Sequence, residues 1–102
     1  MKIYLAIEQQ APQAANDQLD RLLSRLPQIQ DMPLSGREVS DYQDQHIREQ
    51  LENPYRIIYM IKEQKIYLLS IMHQRQLLPK IKEMKAVARQ AIKTMEASES
   101  EH

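Results

Sequence analysis

Two apolar segments lie back to back in the second half of the chain and constrain its fold most. They are Tyr55–Ile61 and Ile66–Met72, each seven residues long and rich in Ile and Tyr. β-Branched and aromatic side chains suit a pleated, half-buried surface, so both segments are predicted to be strands. Lys62–Lys65 connects them, and the absence of an Asn-Gly or Asp-Gly turn favours a four-residue loop. The segments therefore predict an antiparallel hairpin.

Both faces of this hairpin are predicted to be apolar. Successive side chains of a strand point to opposite faces, which places Ile57 and Tyr59 on one side and Ile58 and Met60 on the other. We therefore expect the hairpin to lie in the centre of its sheet, with cover on at least part of each face.

The first 26 residues carry two helical patterns. Within Met1–Gln10 the apolar residues recur at helical spacing, and Gln13–Leu26 shows the stripe of an amphipathic helix. Pro27 is expected to end the second helix, since the residue before a proline avoids the helical conformation. Together the two segments predict a helical hairpin whose apolar stripes pack against a sheet.

Three shorter features separate these helices from the strand hairpin. Pro27–Arg37 is predicted to be a loop, and it holds Gly36, the only glycine of the chain. A single glycine indicates a backbone conformation that other residues cannot adopt. Arg37–Val39 is predicted to begin an edge strand, and Ile47–Leu51 to form a strand beside the hairpin.

A basic amphipathic helix is predicted over residues 80–97, which good helix formers dominate. Its apolar stripe comprises Ile81, Met84, Ala88, Ala91, Ile92 and Met95. The basic residues on the flanks are Lys80, Lys82, Lys85, Arg89 and Lys93. These cations either form a solvated face or track the phosphates of a partner.

The charges are distributed unevenly although they sum to zero. Residues 1–53 carry five Lys or Arg against nine Asp or Glu, and residues 54–95 carry nine against two. A basic second half indicates an anionic partner, either nucleic acid or an acidic protein segment. The alternative is that the charges neutralise each other within the fold or across a dimer.

Composition excludes several classes of site. The chain has no cysteine, so neither a disulfide framework nor a thiolate metal site is available. His46, His73 and His102 are too scattered for a zinc site, and one glycine cannot build a phosphate cradle. No cofactor is expected. The sequence predicts a single cytoplasmic domain over residues 1–102, with no membrane span and no signal peptide.

Short motifs follow one another along residues 3–79 in a recognisable order. They are Pro33 with Gly36-Arg37, Ile47-Arg48-Glu49, Tyr55-Arg56-Ile57-Ile58-Tyr59, and Ile71-Met72-His73-Gln74-Arg75. This series resembles the ParE/RelE superfamily of type II toxin–antitoxin systems. The resemblance implies an α+β fold, in which the N-terminal helical hairpin packs on a small twisted antiparallel sheet, and a cognate antitoxin that wraps the toxin.

The chain is expected to depart from the superfamily pattern at both ends. Members usually open with a β-strand and the first turns of a long helix before the segment that Lys2–Gln10 resembles, and this opening is expected to be absent here. A partner would then cover the bare sheet edge, or the chain would be a shortened, non-toxic relative that serves as an interaction module. The basic helix over residues 80–97 is additional, and it is expected to occupy the vacated surface, mediate dimerisation or hold a partner.

Members of the superfamily act in two ways. ParE-like toxins inhibit DNA gyrase by binding it, whereas RelE-like toxins cut mRNA on the ribosome, which requires cations around the scissile phosphate and groups that move protons. Candidates for such a site are Arg48, Arg56, His73 and Arg75. Alternatively, the two strand arginines pair with carboxylates or backbone carbonyls, and hydrogen bonds hold His73. Between Arg75 and His102 there is no tyrosine or histidine, which favours the ParE-like action.

Binding to the target or the antitoxin is predicted to use cations of the glycine loop and of the second half. These are Arg37, Arg75, Lys80, Lys82, Lys85 and Arg89. The expected partners are a cognate antitoxin and DNA gyrase, with the ribosome and mRNA as the alternative target and a homodimer as a further assembly.

Overall fold

The computed structural model describes residues 1–5 and 16–100 of the chain. The strands in this part are β1 (Lys2–Leu5), β2 (Arg37–Glu38), β3 (Ile47–Glu52), β4 (Tyr55–Lys62) and β5 (Lys65–His73). The helices are α1 (Asn16–Ser24), α2 (Leu26–Asp31) and α3 (Ile81–Ser100), and a 3-10 turn covers Pro33–Ser35. The strands form one five-stranded sheet in the order β1-β5-β4-β3-β2. The predicted α+β class is confirmed.

The predicted central hairpin is confirmed, but its turn is shorter than expected. β4 and β5 pair antiparallel and end with Lys62 opposite Lys65. The predicted four-residue loop is wrong, because Glu63 and Gln64 alone form the turn. Their φ angles are 51° and 63°, as in the type I′ turn whose twist matches that of the strands. Neither residue is the asparagine or glycine that marks such a turn in a sequence.

The sheet separates two apolar cores, so both faces of the hairpin are covered as predicted. The core beneath α1 and α2 is built from Leu22, Ile29, Tyr55, Ile57, Tyr59, Ile66, Leu68 and Ile71. The core beneath α3 is built from Val39, Tyr42, Ile47, Ile58, Tyr67, Leu69, Met72, Met84, Ala88 and Ala91. Each fully buried large side chain contributes about 1.5–3 kcal/mol to stability.

A bulge in β5 shifts the alternation of its side chains between the two cores. Tyr59 lies opposite Leu68, but the preceding residue Ile58 lies opposite Ser70. Leu69 is therefore an extra residue, and the strand alternation shifts by one at this point. As a result, Leu69 belongs to the α3 core whereas Ile71, two positions later, belongs to the core beneath α1 and α2.

The chain opens with a strand, and the prediction of a helix over Met1–Gln10 is wrong for Lys2–Leu5. This strand pairs parallel with β5, with Ile3 opposite Ile66. So short an apolar run fits the helical or the strand period, and the choice depends on a neighbour far along the chain. Residues 6–10 lie outside the described residues. β5 thus has a neighbouring strand on this side, so the predicted bare edge is wrong, and the predicted first arm of the helical hairpin is wrong over Lys2–Leu5.

The second predicted helix is confirmed from Asn16 to Ser24, whereas its residues before Asn16 lie outside the described residues. α2 begins at Leu26 and has Pro27 in its first turn, so the predicted loop starts only after the end of α2. Proline is tolerated there because the first N–H groups of a helix have no acceptor within it. Ile29 of α2 is fully buried and fixes this short helix against the sheet.

The two outer strands are found where the sequence predicts them. β3 pairs with β4 on one side and with β2, the edge strand, on the other. α3 lies at the position of the predicted basic helix. Just before it, the Pro79 carbonyl oxygen accepts a hydrogen bond from the Tyr42 hydroxyl at 2.7 Å. Within residues 1–5 and 16–100, no helix has the length and apolar character that crossing a membrane requires.

Gly36 provides space, and the prediction that it adopts a conformation closed to other residues is wrong. Its φ and ψ are −73° and 148°, an extended conformation open to any residue. A Cβ atom at this position would lie 2.2 Å from Tyr59 Oη and 2.9 Å from the Glu49 carbonyl oxygen. The loop passes too close to the sheet for a side chain.

Candidate functional site

The candidate nuclease residues lie on different faces of the sheet. Arg56 is opposite Met72, whose side chain belongs to the α3 core. His73 is opposite Tyr55, whose side chain belongs to the core beneath α1 and α2. Since directly paired residues point to the same face, Arg56 and His73 face opposite sides. The sheet therefore does not bring these two side chains together.

Arg48 shares the face of His73 but supports the glycine loop. It lies opposite Tyr59, and its Nη1 donates to the Gly36 carbonyl oxygen at 2.8 Å. Its buried Nε has no hydrogen-bond partner among the described residues. The Tyr59 hydroxyl donates to the Pro33 carbonyl oxygen at 2.6 Å, and burial raises the pKa of this hydroxyl. Both side chains thus hold the loop that contains Gly36.

Arg56 is bound by a buried carboxylate. The side chain of Glu49 is 2% exposed, and its Oε2 accepts hydrogen bonds from Arg56 Nε at 2.8 Å and from Arg56 Nη2. Its Oε1 accepts from Arg37 Nε at 2.7 Å. Charge-assisted bonds of this kind fix the planes of both guanidinium groups. The geometry matches the alternative in which strand arginines pair with carboxylates.

A groove of about 470 Å³ opens over this cluster. Its charged lining residues are Arg37, Arg56, Glu38, Asp41 and Glu49. The three carboxylates outnumber the two guanidinium groups, so the field in the groove does not favour a phosphate. This groove is a poor site for an RNA backbone.

His73 is held by hydrogen bonds and an aromatic contact. Its Nδ1 accepts from the backbone N–H of Arg75 at 3.1 Å, while its own backbone N–H donates to Gln76 Oε1 at 2.7 Å. The ring lies edge-on to Tyr55 with centroids 5.7 Å apart. Because Nδ1 is an acceptor, the neutral ring carries its proton on Nε2 and has no free basic nitrogen. This arrangement agrees with a structural histidine.

The cations predicted to bind a target or an antitoxin differ in how they are held. Arg37 bonds to Glu49, although its side chain is 66% exposed. Lys85 lies 3.5 Å from a carboxylate oxygen of Asp44. No side-chain partner is found in the described part of the chain for the other four, all exposed, which are Arg75, Lys80, Lys82 and Arg89. They are available to a partner.

Sequence reasoning missed Asp44, which connects the loop before β3 to α3. Its Oδ1 accepts the His46 backbone N–H at 2.9 Å and lies 3.2 Å from the ring Nδ1. Burial acts to raise the pKa of Asp44, but the hydrogen bonds from His46 and the charge of Lys85 outweigh it and lower the pKa below its ordinary value. An aspartate two residues before its hydrogen-bond donor is typical of an Asx turn. No sequence signal points to the contact with Lys85.

Replacing Asp44 by asparagine is expected to cost about 1 kcal/mol of unfolding free energy near neutral pH. Because the pKa of the carboxylate is lower in the folded than in the unfolded state, its contribution is complete above the unfolded-state pKa. The contribution is lost as the pH falls through the folded-state value, so the difference between wild type and variant should begin to shrink below about pH 4. Urea unfolding between pH 3 and 7 measures this, with exposed Asp41→Asn as the control. A constant difference between wild type and variant across this range would contradict the expectation.

The fold and these side chains define a small α+β protein with exposed cations at one end of its sheet and along one helix. Among the residues described, no group of three or more potential metal ligands occurs. Residues 1–78 match the family described as "ParE toxin of type II toxin-antitoxin system, parDE". The chain belongs to this ParE toxin family, which confirms the resemblance, and α3 lies beyond the matched residues. Comparisons with curated proteins and with solved structures gave no significant match.

Proposed function

We propose that this toxin arrests growth in the cytoplasm by binding DNA gyrase, without cutting RNA, and that a cognate antitoxin neutralises it. Membership of a family of type II toxins supports the toxin role and an antitoxin partner. The single observation that carries the non-catalytic mechanism is the pairing of Arg56 with buried Glu49.

This pairing opposes RNA cleavage on energetic grounds. A guanidinium group that stabilises a scissile phosphate has to contact it directly in the transition state. Arg56 would have to leave a carboxylate whose side chain is 2% exposed, and breaking a buried pair costs about 3–5 kcal/mol. His73 points to the opposite face and has no free basic nitrogen. A protein that acts by binding needs neither group to move.

The gyrase contact is proposed at the segment Arg75–Lys80, which joins β5 to α3. Leu77 is 94% exposed, and Arg75 and Lys80 are exposed on either side of it. An apolar side chain between cations is a suitable anchor for a protein interface, in which a few apolar and arginine side chains supply most of the binding energy. An antitoxin that covers the same segment would neutralise the toxin by excluding gyrase.

Arg75→Ala and Leu77→Ala are each expected to weaken binding to purified gyrase about tenfold, which corresponds to about 1.4 kcal/mol. Neither change should alter the unfolding free energy, because both side chains are exposed. Biolayer interferometry on immobilised gyrase measures the affinity. Arg21→Ala, an exposed arginine of α1, is the matched control and should bind as the wild type does.

Two outcomes would overturn this proposal. One is unchanged gyrase binding by both variants, which would place the contact elsewhere. The other is ribosome-dependent cleavage of mRNA by the wild type that Arg56→Ala and Arg75→Ala abolish while remaining folded. That second result would assign the protein to the RelE-like mechanism.

A further inference from the structure

Four basic side chains follow one another along one flank of α3. They are Lys82, Lys85, Arg89 and Lys93, all exposed and separated by three or four residues. This spacing places them in one strip along the helix, about 16 Å from the first to the last at 1.5 Å per residue. We call these four residues the α3 basic row.

The fold leaves most of this charge unbalanced. Lys85 lies 3.5 Å from Asp44 Oδ2. No carboxylate lies within ion-pair distance of the other three members, within the residues that the structure describes. α3 is held to the sheet by apolar residues, including Met84, Ala88 and Ala91, and the row takes no part in that packing. The row also lies outside the residues matched by the toxin family.

We infer that the α3 basic row binds the phosphate backbone of duplex DNA. Duplex DNA carries one negative charge per about 1.7 Å of its axis, so a strip of this length meets several phosphates at once. Lysine and arginine contacts to phosphate supply affinity without reading sequence. The binding is therefore independent of base sequence.

The composition of the row argues against other partners. Protein interfaces are depleted in lysine and depend on aromatic and apolar anchors, whereas three of the four members are lysines. Binding of single strands depends on aromatic side chains that stack on bases, and α3 contains no aromatic residue. Duplex RNA is recognised in part through its 2′-hydroxyls, for which the row offers no hydroxyl or amide group. Duplex DNA is the polyanion that the row fits.

The inference goes beyond the proposed function and is tested without gyrase. Fluorescence anisotropy of a labelled 20-base-pair DNA duplex is measured with the full chain between 50 and 200 mM salt. Four phosphate contacts, with Lys85 exchanging Asp44 for a phosphate, predict a slope of log K against log salt near −3.6, which is roughly a 150-fold loss of affinity over this range. Lys82→Gln, Arg89→Gln and Lys93→Gln combined should reduce the slope to about −0.9 and weaken binding at least tenfold at 50 mM salt.

The control removes the same charge elsewhere. It combines Lys2→Gln, Arg21→Gln and Lys62→Gln, three exposed cations outside α3, and it should keep the wild-type slope. Thermal unfolding verifies that both triple variants are folded. An equal loss in the control, absence of DNA binding by the wild type, or tighter binding to a polyglutamate peptide or to duplex RNA of the same length would each overturn the inference.

Discussion

Gly36→Ala is expected to lower the unfolding free energy by about 2–4 kcal/mol. The new Cβ would lie 2.2 Å from Tyr59 Oη, 3.0 Å from Tyr59 Cζ and 2.9 Å from the Glu49 carbonyl oxygen. Tyr59 is fully buried and its hydroxyl donates a hydrogen bond to the Pro33 carbonyl oxygen. Moving the ring away from the new Cβ would therefore break this bond and disturb the core. The backbone of Gly36 is extended, and therefore the loss comes from overpacking alone. Urea denaturation measures it.

A double-mutant cycle with Tyr59→Phe separates this cause from a general weakness of the loop. Tyr59→Phe removes the atom closest to the new Cβ and by itself should cost about 1 kcal/mol, the value of its hydrogen bond. In that background Gly36→Ala should cost about 1–2 kcal/mol less than in the wild type, because neighbouring changes couple. The contact with the Glu49 carbonyl oxygen makes the rescue partial. Strictly additive effects would contradict the steric explanation.

Glu49→Leu is expected to lower the unfolding free energy by about 3–5 kcal/mol. The carboxylate accepts hydrogen bonds from Arg37 and Arg56, and the side chain of Arg56 is only 16% exposed. Without Glu49, this guanidinium group is left in a largely buried place with no opposite charge. Arg37 is 66% exposed and is solvated instead. Glu38→Leu, at an exposed position of the neighbouring strand, is the control and should change stability by less than about 0.5 kcal/mol.

Removing the buried charge as well should restore most of that loss. Arg56→Met combined with Glu49→Leu replaces the pair by apolar side chains of similar length, an exchange that is often neutral in protein interiors. The double variant is therefore expected to be more stable than Glu49→Leu alone. If it is less stable, the cost of the single change does not arise from an uncompensated charge, and the role assigned to the pair is wrong.

The part of the fold that the sequence predicts well is the part encoded by local chemistry. The hairpin of β4 and β5 is dense in β-branched and aromatic residues, so its strands are recognisable without knowledge of their neighbours. β1 is different, because four residues do not establish a period and its parallel partner is far away in the chain. The two-residue turn at Glu63-Gln64 is not predictable from the sequence for another reason. Both residues have a left-handed backbone, but neither is the asparagine or glycine that is typical of such a turn.

The candidate site likewise has features that local sequence predicts and features that depend on the complete fold. Pairing of a strand arginine with a nearby carboxylate is predictable, since Glu49 and Arg56 lie on adjacent strands. Strand alternation alone cannot place His73 relative to Arg56, because the bulge at Leu69 shifts the register between the hairpin strands. The need for glycine at position 36 depends on the Tyr59 hydroxyl, a contact made only after folding.

Two assays on one preparation of the wild-type protein decide whether this toxin binds gyrase and leaves RNA intact, as proposed. DNA gyrase supercoils a relaxed plasmid in the first, and ribosomes engaged on an mRNA are analysed for cleavage in the second. We expect supercoiling to be inhibited in proportion to toxin concentration while the mRNA remains whole. Cleaved mRNA together with unimpaired supercoiling would contradict it.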